Sequence, residues 1–496
     1  MRKRTCHIYS LVLLCLLPVI GWCWSTPAFC RESRPNIVLI FVDDLGYGDL
    51  SCFGLQSSPF STPHIDKMAD EGARLTNCYV TVPYCAPSRA SLLTGRYPFR
   101  NGLTTNPAPD AGIHHAGLPG SEITLAEALK TVGYSTTCIG KWHLGHTEKF
   151  LPRRQGFDEY YGILYSNDMR PVQIVENEQV VEYPVIQAHL TRKYTDRALD
   201  FIERNYRRNQ PFFLYLPYAM PHKPLAASED FYTPDTPGDL YADVIRELDY
   251  SMGRILERIE ELELDDNTLI LFLSDNGPWY GGSTGGLRGM KSRTWDGGIH
   301  VPMIARWPGT IPEGLVNHAL ASSMDIFPTV LNLAGVSQPD DRLIDGRDIW
   351  PLLTSATAES PHEAVFAMHG VRLMTVRSGQ WKLHVHPPQA YRQPSGVWLD
   401  PRGPDGVTII APAEQSQPVA YPGIIGGDEP SAMMLFDLEA DPAEQHNVAA
   451  AHPDVVRRLK ALYDDMAAQM PEIKPSNRER QHMRRLRGGA LRYDRY

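Results

Sequence analysis

The strongest constraint on the fold is a set of short runs that are apolar at nearly every position. Asn36–Val42 reads Asn-Ile-Val-Leu-Ile-Phe-Val, and Phe212–Tyr218 and Thr268–Ser274 are of the same kind. A strand with one wet face alternates apolar with polar side chains, so an unbroken apolar run is a strand buried on both faces. Burial on both faces requires helices above and below, and the intervening sequence supplies them. Thr62–Gly72 carries Pro63 at its first turn, and Thr124–Val132 has Thr124 as its cap and Gly133 just past its end. Arg192–Arg207, Leu240–Leu262 and Asp325–Ala334 also read as helices, and Tyr134–Gly140 and Val301–Ile304 as further strands. This alternation predicts an α/β fold with a large, mostly parallel sheet sandwiched by helices. After about Pro361 come short strands (Val371–Arg377, Trp381–Val385), a Pro/Gly-rich stretch to about Asp428, and a helix over Pro453–Gln469. That change predicts a smaller C-terminal α+β domain with a short antiparallel sheet.

The expected organisation is a signal peptide over residues 1–30, a catalytic domain over 35–360, a C-terminal subdomain over 361–473 and a basic tail over 474–496. Arg2, Lys3 and Arg4 precede the apolar run Ile8–Trp24, which is short for a spanning helix and has the order of an export signal. The expected location is therefore periplasmic or secreted. The formal net charge is −10, and removing the three leader cations leaves about −13. A duplex-coating protein would be basic, so nucleic acid is not an expected partner. An anionic substrate must be drawn by a local cluster of cations. Of the eight cysteines, four lie in or near the leader and none follows Cys138, so disulfides are not what holds this chain together. Cys52, Cys78 and Cys138 are either paired or buried thiols. The tail carries Arg478, Arg480, Arg484, Arg485, Arg487, Arg492 and Arg495, and reads as a flexible extension or a docking strip for an anionic polymer.

In an open parallel sheet, ligands bind beyond the carboxyl ends of the strands. Four predicted strands end in polar groups: Asp43-Asp44, then Lys141 with His143, then Pro221-His222, then Asp275-Asn276. Asp43, Asp44, Asp275 and Asn276 offer hard oxygen donors, which suit Ca²⁺ or Mg²⁺ better than Zn²⁺. Lys141, His143, His222 and Lys291 add cations and proton donors. A divalent ion beside several cations suits a tetrahedral oxyanion such as sulfate or phosphate. Cys85 precedes a helix opened by Pro87 and Ser88, where backbone N–H groups favour an anion, and Arg89 follows one turn on.

Cys85-Ala86-Pro87-Ser88-Arg89, followed by Ala-Ser-Leu-Leu-Thr-Gly-Arg, resembles the signature of the type I sulfatases, arylsulfatase A-like members of the alkaline phosphatase superfamily. Val42-Asp43-Asp44-Leu45-Gly46, Gly140-Lys141-Trp142-His143-Leu144-Gly145, Pro221-His222, Ser274-Asp275-Asn276-Gly277 and Lys291–Gly298 resemble the family's other markers, in the same order. Tyr165-Ser166-Asn167-Asp168 resembles the segment that carries a sulfate-contacting Ser. The likeness is strong from about Pro35 to Pro351 and general beyond.

The resemblance implies that Cys85 is oxidised to Cα-formylglycine by a formylglycine-generating or sulfatase-maturing enzyme. It implies one Ca²⁺ held by Asp43, Asp44, Asp275, Asn276 and residue 85. One hydroxyl of the hydrated aldehyde would attack sulfur, and the other would then expel sulfate. Arg89 and Lys141 would position the hydrate, and His143 would take the proton that releases sulfate. Ser166, Lys141, His222 and Lys291 would bind the substrate, with His222 and Lys291 protonating the leaving oxygen. The expected activity is sulfate ester hydrolysis, with sulfated glycans and aryl sulfates as substrates. A phosphatase or phosphodiesterase of the same superfamily, or a non-catalytic sulfated-glycan binder, are the alternatives. Candidate substrate loops are Asn167–Val185, Trp279–Leu287 and Pro387–Asp428, with Trp279, Tyr280 and Trp398 as candidate stacking residues. The sequence does not specify an oligomeric state.

Overall fold

The structure is a computed structural model that describes residues 34–54, 57–233, 240–390 and 421–471. The leader, the basic tail and Trp398 lie outside the described residues. The described residues form one compact unit, in which the C-terminal segment packs with the rest.

The strands are β1 (Asn36–Val42), β2 (Ala73–Tyr79), β3 (Ser135–Lys141), β4 (Glu159–Ile163), β5 (Ile174–Glu176), β6 (Gln179–Glu182), β7 (Phe212–Tyr218), β8 (Thr268–Ser274), β9 (His300–Arg306), β10 (Leu315–Asn317) and β11 (Ala321–Ser322). They form one sheet in the order β10-β2-β9-β8-β1-β7-β3-β4-β5-β6, with β11 also on β2. β1, β3, β7 and β8 are parallel neighbours, as predicted, and β4, which the sequence reading did not foresee, adds a fifth parallel strand beside β3. β9 runs antiparallel to both β2 and β8. β1 is buried along its whole length, and successive residues alternate between two cores. Ile37, Leu39 and Phe41 face one, and Val38, Ile40 and Val42 the other. That is the two-sided burial its apolar run demanded.

The predicted helices form with small shifts at their ends. Leu125–Lys130 has the Thr124/Glu127 capping box, which satisfies two amino-terminal N–H groups reciprocally. Leu190–Arg208 buries one stripe, including Tyr194, Ala198, Phe201 and Ile202, against the sheet. Gly140 lies in the left-handed half of backbone space (φ +134°), and a Cβ there would meet Pro217 O at 2.0 Å, so only glycine lets β3 and β7 approach just before Lys141. The second sheet, β12 (Val365–His369), β13 (Arg372–Ser378), β14 (Trp381–His384) and β15 (Met434–Asp437), is antiparallel throughout. It packs with the helix Pro453–Ala467 around Leu373, Val376, Leu383 and Leu435.

Candidate active site

The parallel order β8-β1-β7-β3-β4 sets five strand ends side by side on one edge of the sheet. From these ends come Asp275 and Asn276, Asp43 and Asp44, His222, Lys141 and His143, and Ser166. Cys85 begins the helix Cys85–Thr94, every residue of which is buried and which ends at Gly95 in the left-handed conformation. Because β9 is antiparallel, the loop before it reaches the same edge and delivers Lys291.

Asp43, Asp44, Lys141, His222 and Lys291 converge on Cys85. Ligand atoms of Asp43, Asp44, Cys85 and His222 all lie within 4.8 Å of one another. Cys85 Sγ donates to Asp43 Oδ1 at 3.4 Å and stands 3.6 Å from Lys141 Nζ and 3.3 Å from Lys291 Nζ. Burial pushes its thiol pKa up, as does Asp43, against the opposing pull of the two ammonium groups. Residue 85 as encoded is thus a poorly ionised thiol in a fully buried site. Arg89 donates to Asp275 Oδ2 through Nε (3.1 Å) and Nη2 (2.7 Å), and to the Lys141 carbonyl through Nη1 (3.0 Å). Lys141 pairs with Asp43 and donates to Ser166 Oγ at 3.1 Å. Lys291 pairs with Asp44 at 2.6 Å, which together with Cys85 and Asp43 raises its pKa against the cost of burial.

The two histidines are held differently. His222 Nδ1 is 2.6 Å from the Lys223 carbonyl and therefore carries a proton, leaving Nε2 toward Ser166 Oγ (3.4 Å) and Asp44 (3.8 Å). Burial, then Lys291 and Lys141, lower its pKa to about 4. His143 is buried, at φ +58°, with Nε2 3.2 Å from the Pro107 carbonyl. Burial, followed by Lys141 and Arg89, holds it well below the usual histidine range, so the imidazole is uncharged at neutral pH.

The donor set fits a hard divalent cation. Asn276 Nδ2 donates to Asp44 Oδ1 (2.8 Å) and to Gly277 O (2.9 Å), while its Oδ1 is buried with no hydrogen-bond partner. An orphaned amide oxygen beside three buried carboxylates is a donor set that suits a hard divalent cation such as Ca²⁺ or Mg²⁺. Cys52, Cys78, Cys85 and Cys138 are all free thiols.

Several supporting residues were not foreseen from sequence. Asp49 accepts from Gly46 N (2.6 Å), Ser283 N (2.6 Å) and Tyr241 OH (2.6 Å), and so fixes the turn after Asp44. Its spacing, Gly46-Tyr47-Gly48-Asp49, was a usable turn signal. Asn167 binds the Gln187 side chain and the His222 and Pro224 carbonyls, which ties the Ser166 loop to the His222 loop. Asn106 accepts from Ala86 N at 3.1 Å, and nothing in its local sequence marks it. Of the candidate stacking residues named from sequence, Trp279 and Tyr280 stand edge to face at 5.0 Å, with Tyr421 6.2 Å from Tyr280.

Comparison with known proteins agrees with this geometry. The family model described as sulfatase matches residues 35–336, and one for the C-terminal region of aryl-sulfatase matches 360–487. The N-acetylgalactosamine-6-sulfatase of Canis lupus familiaris is 41% identical over 461 residues, covering 86% of this chain and 84% of its own. Arylsulfatase G of Mus musculus is 37% identical over 406 residues, covering 71% and 76%. The crystal structure of the PsFucS1 sulfatase from Pseudoalteromonas sp. superposes with a TM-score of 0.74 at 27% identity, covering 90% of this chain and 92% of that one. With its cysteine, cations and oxygen donors gathered on one sheet edge, and with relatives of this kind along most of its length, the chain belongs to the sulfatase family of the alkaline phosphatase superfamily and is a sulfate ester hydrolase.

Proposed function

We propose that this sulfatase is an exported enzyme that uses formylglycine made from Cys85, together with one Ca²⁺, to hydrolyse sulfate esters of glycans and aryl alcohols. The observation that carries the reading is the placement of Cys85 Sγ between Lys141, Lys291 and the Asp43 carboxylate, at 3.6, 3.3 and 3.4 Å. The family resemblance implies a maturing enzyme for Cys85, and burial of that residue in the folded site supports its oxidation before folding is complete. For substrate, the N-acetylgalactosamine-6-sulfatases at 41% identity favour a 6-sulfated amino sugar, with Trp279 and Tyr280 available to stack on its ring. Export rests on the charged and apolar leader.

Asp43, Asp44, Asp275 and Asn276 would hold the ion, which would polarise a sulfate oxygen and make the attacking hydroxyl more acidic. The aldehyde hydrate at position 85 supplies two hydroxyls on one carbon, one to attack sulfur and one to drive release. Lys141, Lys291 and Ser166 bind the sulfate oxygens, and Arg89 holds Asp275 ready to accept the proton of the attacking hydroxyl. His222 keeps one proton on Nδ1 through Lys223, so it must gain a second at Nε2 to protonate a leaving oxygen. Binding of an anion beside Nε2 favours that gain. His143, neutral, takes the proton that accompanies sulfate release.

The deciding measurement is the mass of the position-85 peptide from active protein. It is expected about 18 Da below the cysteine form, because oxygen replaces sulfur and two hydrogens are lost. Cys85→Ala is expected to keep the fold and lose turnover. An active protein with unmodified Cys85 refutes the mechanism.

A further inference from the structure

The segment from Leu103 to Leu118 touches the catalytic groups at two points. Asn106 Oδ1 accepts from Ala86 N at 3.1 Å, the amide next to Cys85. The Pro107 carbonyl lies 3.2 Å from His143 Nε2. A carbonyl can only accept, so Nε2 carries the proton. Nδ1, which is buried and has no partner, is then the nitrogen with the lone pair. A single backbone carbonyl decides which nitrogen of His143 can act as a base.

Pro107 is not free to move alone. Ala108 and Ile113 exchange both backbone hydrogen bonds, at 3.3 and 2.8 Å, so Pro107 and His114 flank a small closed loop. His114 Nδ1 lies 2.7 Å from His146 Nε2, and the His146 ring stands edge-on to Tyr165, the neighbour of Ser166, with centroids 5.8 Å apart. Leu118 N donates to Leu144 O at 2.9 Å and ties down the far end.

We propose that Leu103–Leu118 is a positioning strap that sets the tautomer of His143, and that the His114–His146 pair is its latch. The inference rests on the formylglycine reading, because there His143 is needed as a base only when sulfate is released. In that step the second hydroxyl of residue 85 gives its proton to His143 Nδ1. The freed O–H electron pair forms the C=O bond, and the C–O bond to sulfate breaks with its pair leaving on sulfate. With the strap lifted, Nε2 loses its acceptor, and part of the population presents an N–H where the lone pair is needed. The defect falls on sulfate release and spares the first transfer. His114 and His146 are positioning residues.

The test uses His114→Ala and His146→Ala in the matured full-length enzyme. His114 is exposed, so its replacement leaves the core intact. Asn places an amide where His Nδ1 stood, and Gln where Nε2 stood, so His114→Asn and His146→Gln retain the contact. In rapid-quench assays with an aryl sulfate, each alanine variant is expected to release a burst of about one phenol per site. A steady state slowed about tenfold or more should follow. The position-85 peptide should retain about 80 Da of sulfuryl group. Hydrogen exchange over Leu103–Leu118 should rise in the same variants, and the amide variants should restore both readouts. Equal slowing of both phases, unchanged turnover, or no rescue by the amides would overturn the strap. Turnover by wild type without an aldehyde at position 85 would instead overturn the reading beneath it.

Discussion

Replacing Lys382 with Met tests how the C-terminal sheet supports the active site. Lys382 lies on β14, 1% exposed, with Nζ 2.6 Å from Asp296 Oδ1, 2.9 Å from Glu444 Oε1 and 3.0 Å from the Thr294 carbonyl. Asp296 also accepts from Tyr79 OH at 2.5 Å, and its N–H donates to Glu444 Oε2 at 2.6 Å. Met fills nearly the same volume, so the loss is electrostatic: two buried carboxylates are left without the ammonium they share. Breaking a buried pair from one side costs about 3–5 kcal/mol. At about 2 cal/mol/K of unfolding entropy per residue, a unit of this size should melt roughly 3–5 °C lower. Burial opposes ionisation of Asp296, but Lys382, His300 and Arg377 outweigh it and hold its pKa far below the usual range. A carboxylate depressed in the folded state stabilises above its unfolded pKa, about 3.9, and loses that contribution as pH falls toward the folded value. The gap between variant and wild type should be full at pH 7 and narrow below about pH 4. Thr294 and Asp296 follow Lys291 on one loop, so KM for an aryl sulfate should rise as well. Urea melts across this pH range give the answer. A loss under about 1 kcal/mol at neutral pH, or a gap that does not narrow in acid, refutes the argument.

Chelation should cut turnover and lower the melting temperature together, because an ion bound only by the native state stabilises it, and Ca²⁺ should restore both better than Mg²⁺. Full activity with bound Zn²⁺ would count against the oxygen-donor assignment and revive the phosphatase alternative. His143→Ala should give a burst of alcohol and then stall. His222→Ala should slow the first step, by roughly 10²–10⁴ for sugar sulfates and less for an activated phenyl sulfate, whose leaving group needs no proton. Equal losses on both substrates in His222→Ala would remove its leaving-group role.

Asp43, Asp44, Lys141, His143, His222, Asp275 and Asn276 were legible as candidates because each follows a predicted strand, whereas Ser166 rested on the family resemblance alone. An apolar run followed by Asp43-Asp44 or Asp275-Asn276 is readable without any partner in view. The weaker strands were not. β2 is only partly buried, β5 has three residues, and β6 is exposed along most of its length, so no continuous run announced them. β9 was found as a strand, but its direction was not, since strand direction depends on where the chain returns.

By itself the sequence determined a buried parallel sheet, an anion-seeking helix start at Cys85, and an oxygen-rich set of strand ends, because burial and turn chemistry are local properties of the chain. Only the tertiary structure decided that β8, β1, β7, β3 and β4 are adjacent, so that those ends meet within hydrogen-bonding reach. It also decided that Arg89 grips Asp275, that Pro107 selects the proton position on His143, and that an antiparallel β9 brings Lys291 to Asp44. Each of these contacts joins residues dozens to hundreds of positions apart, and strand order and loop path, which set such distances, have no local signature.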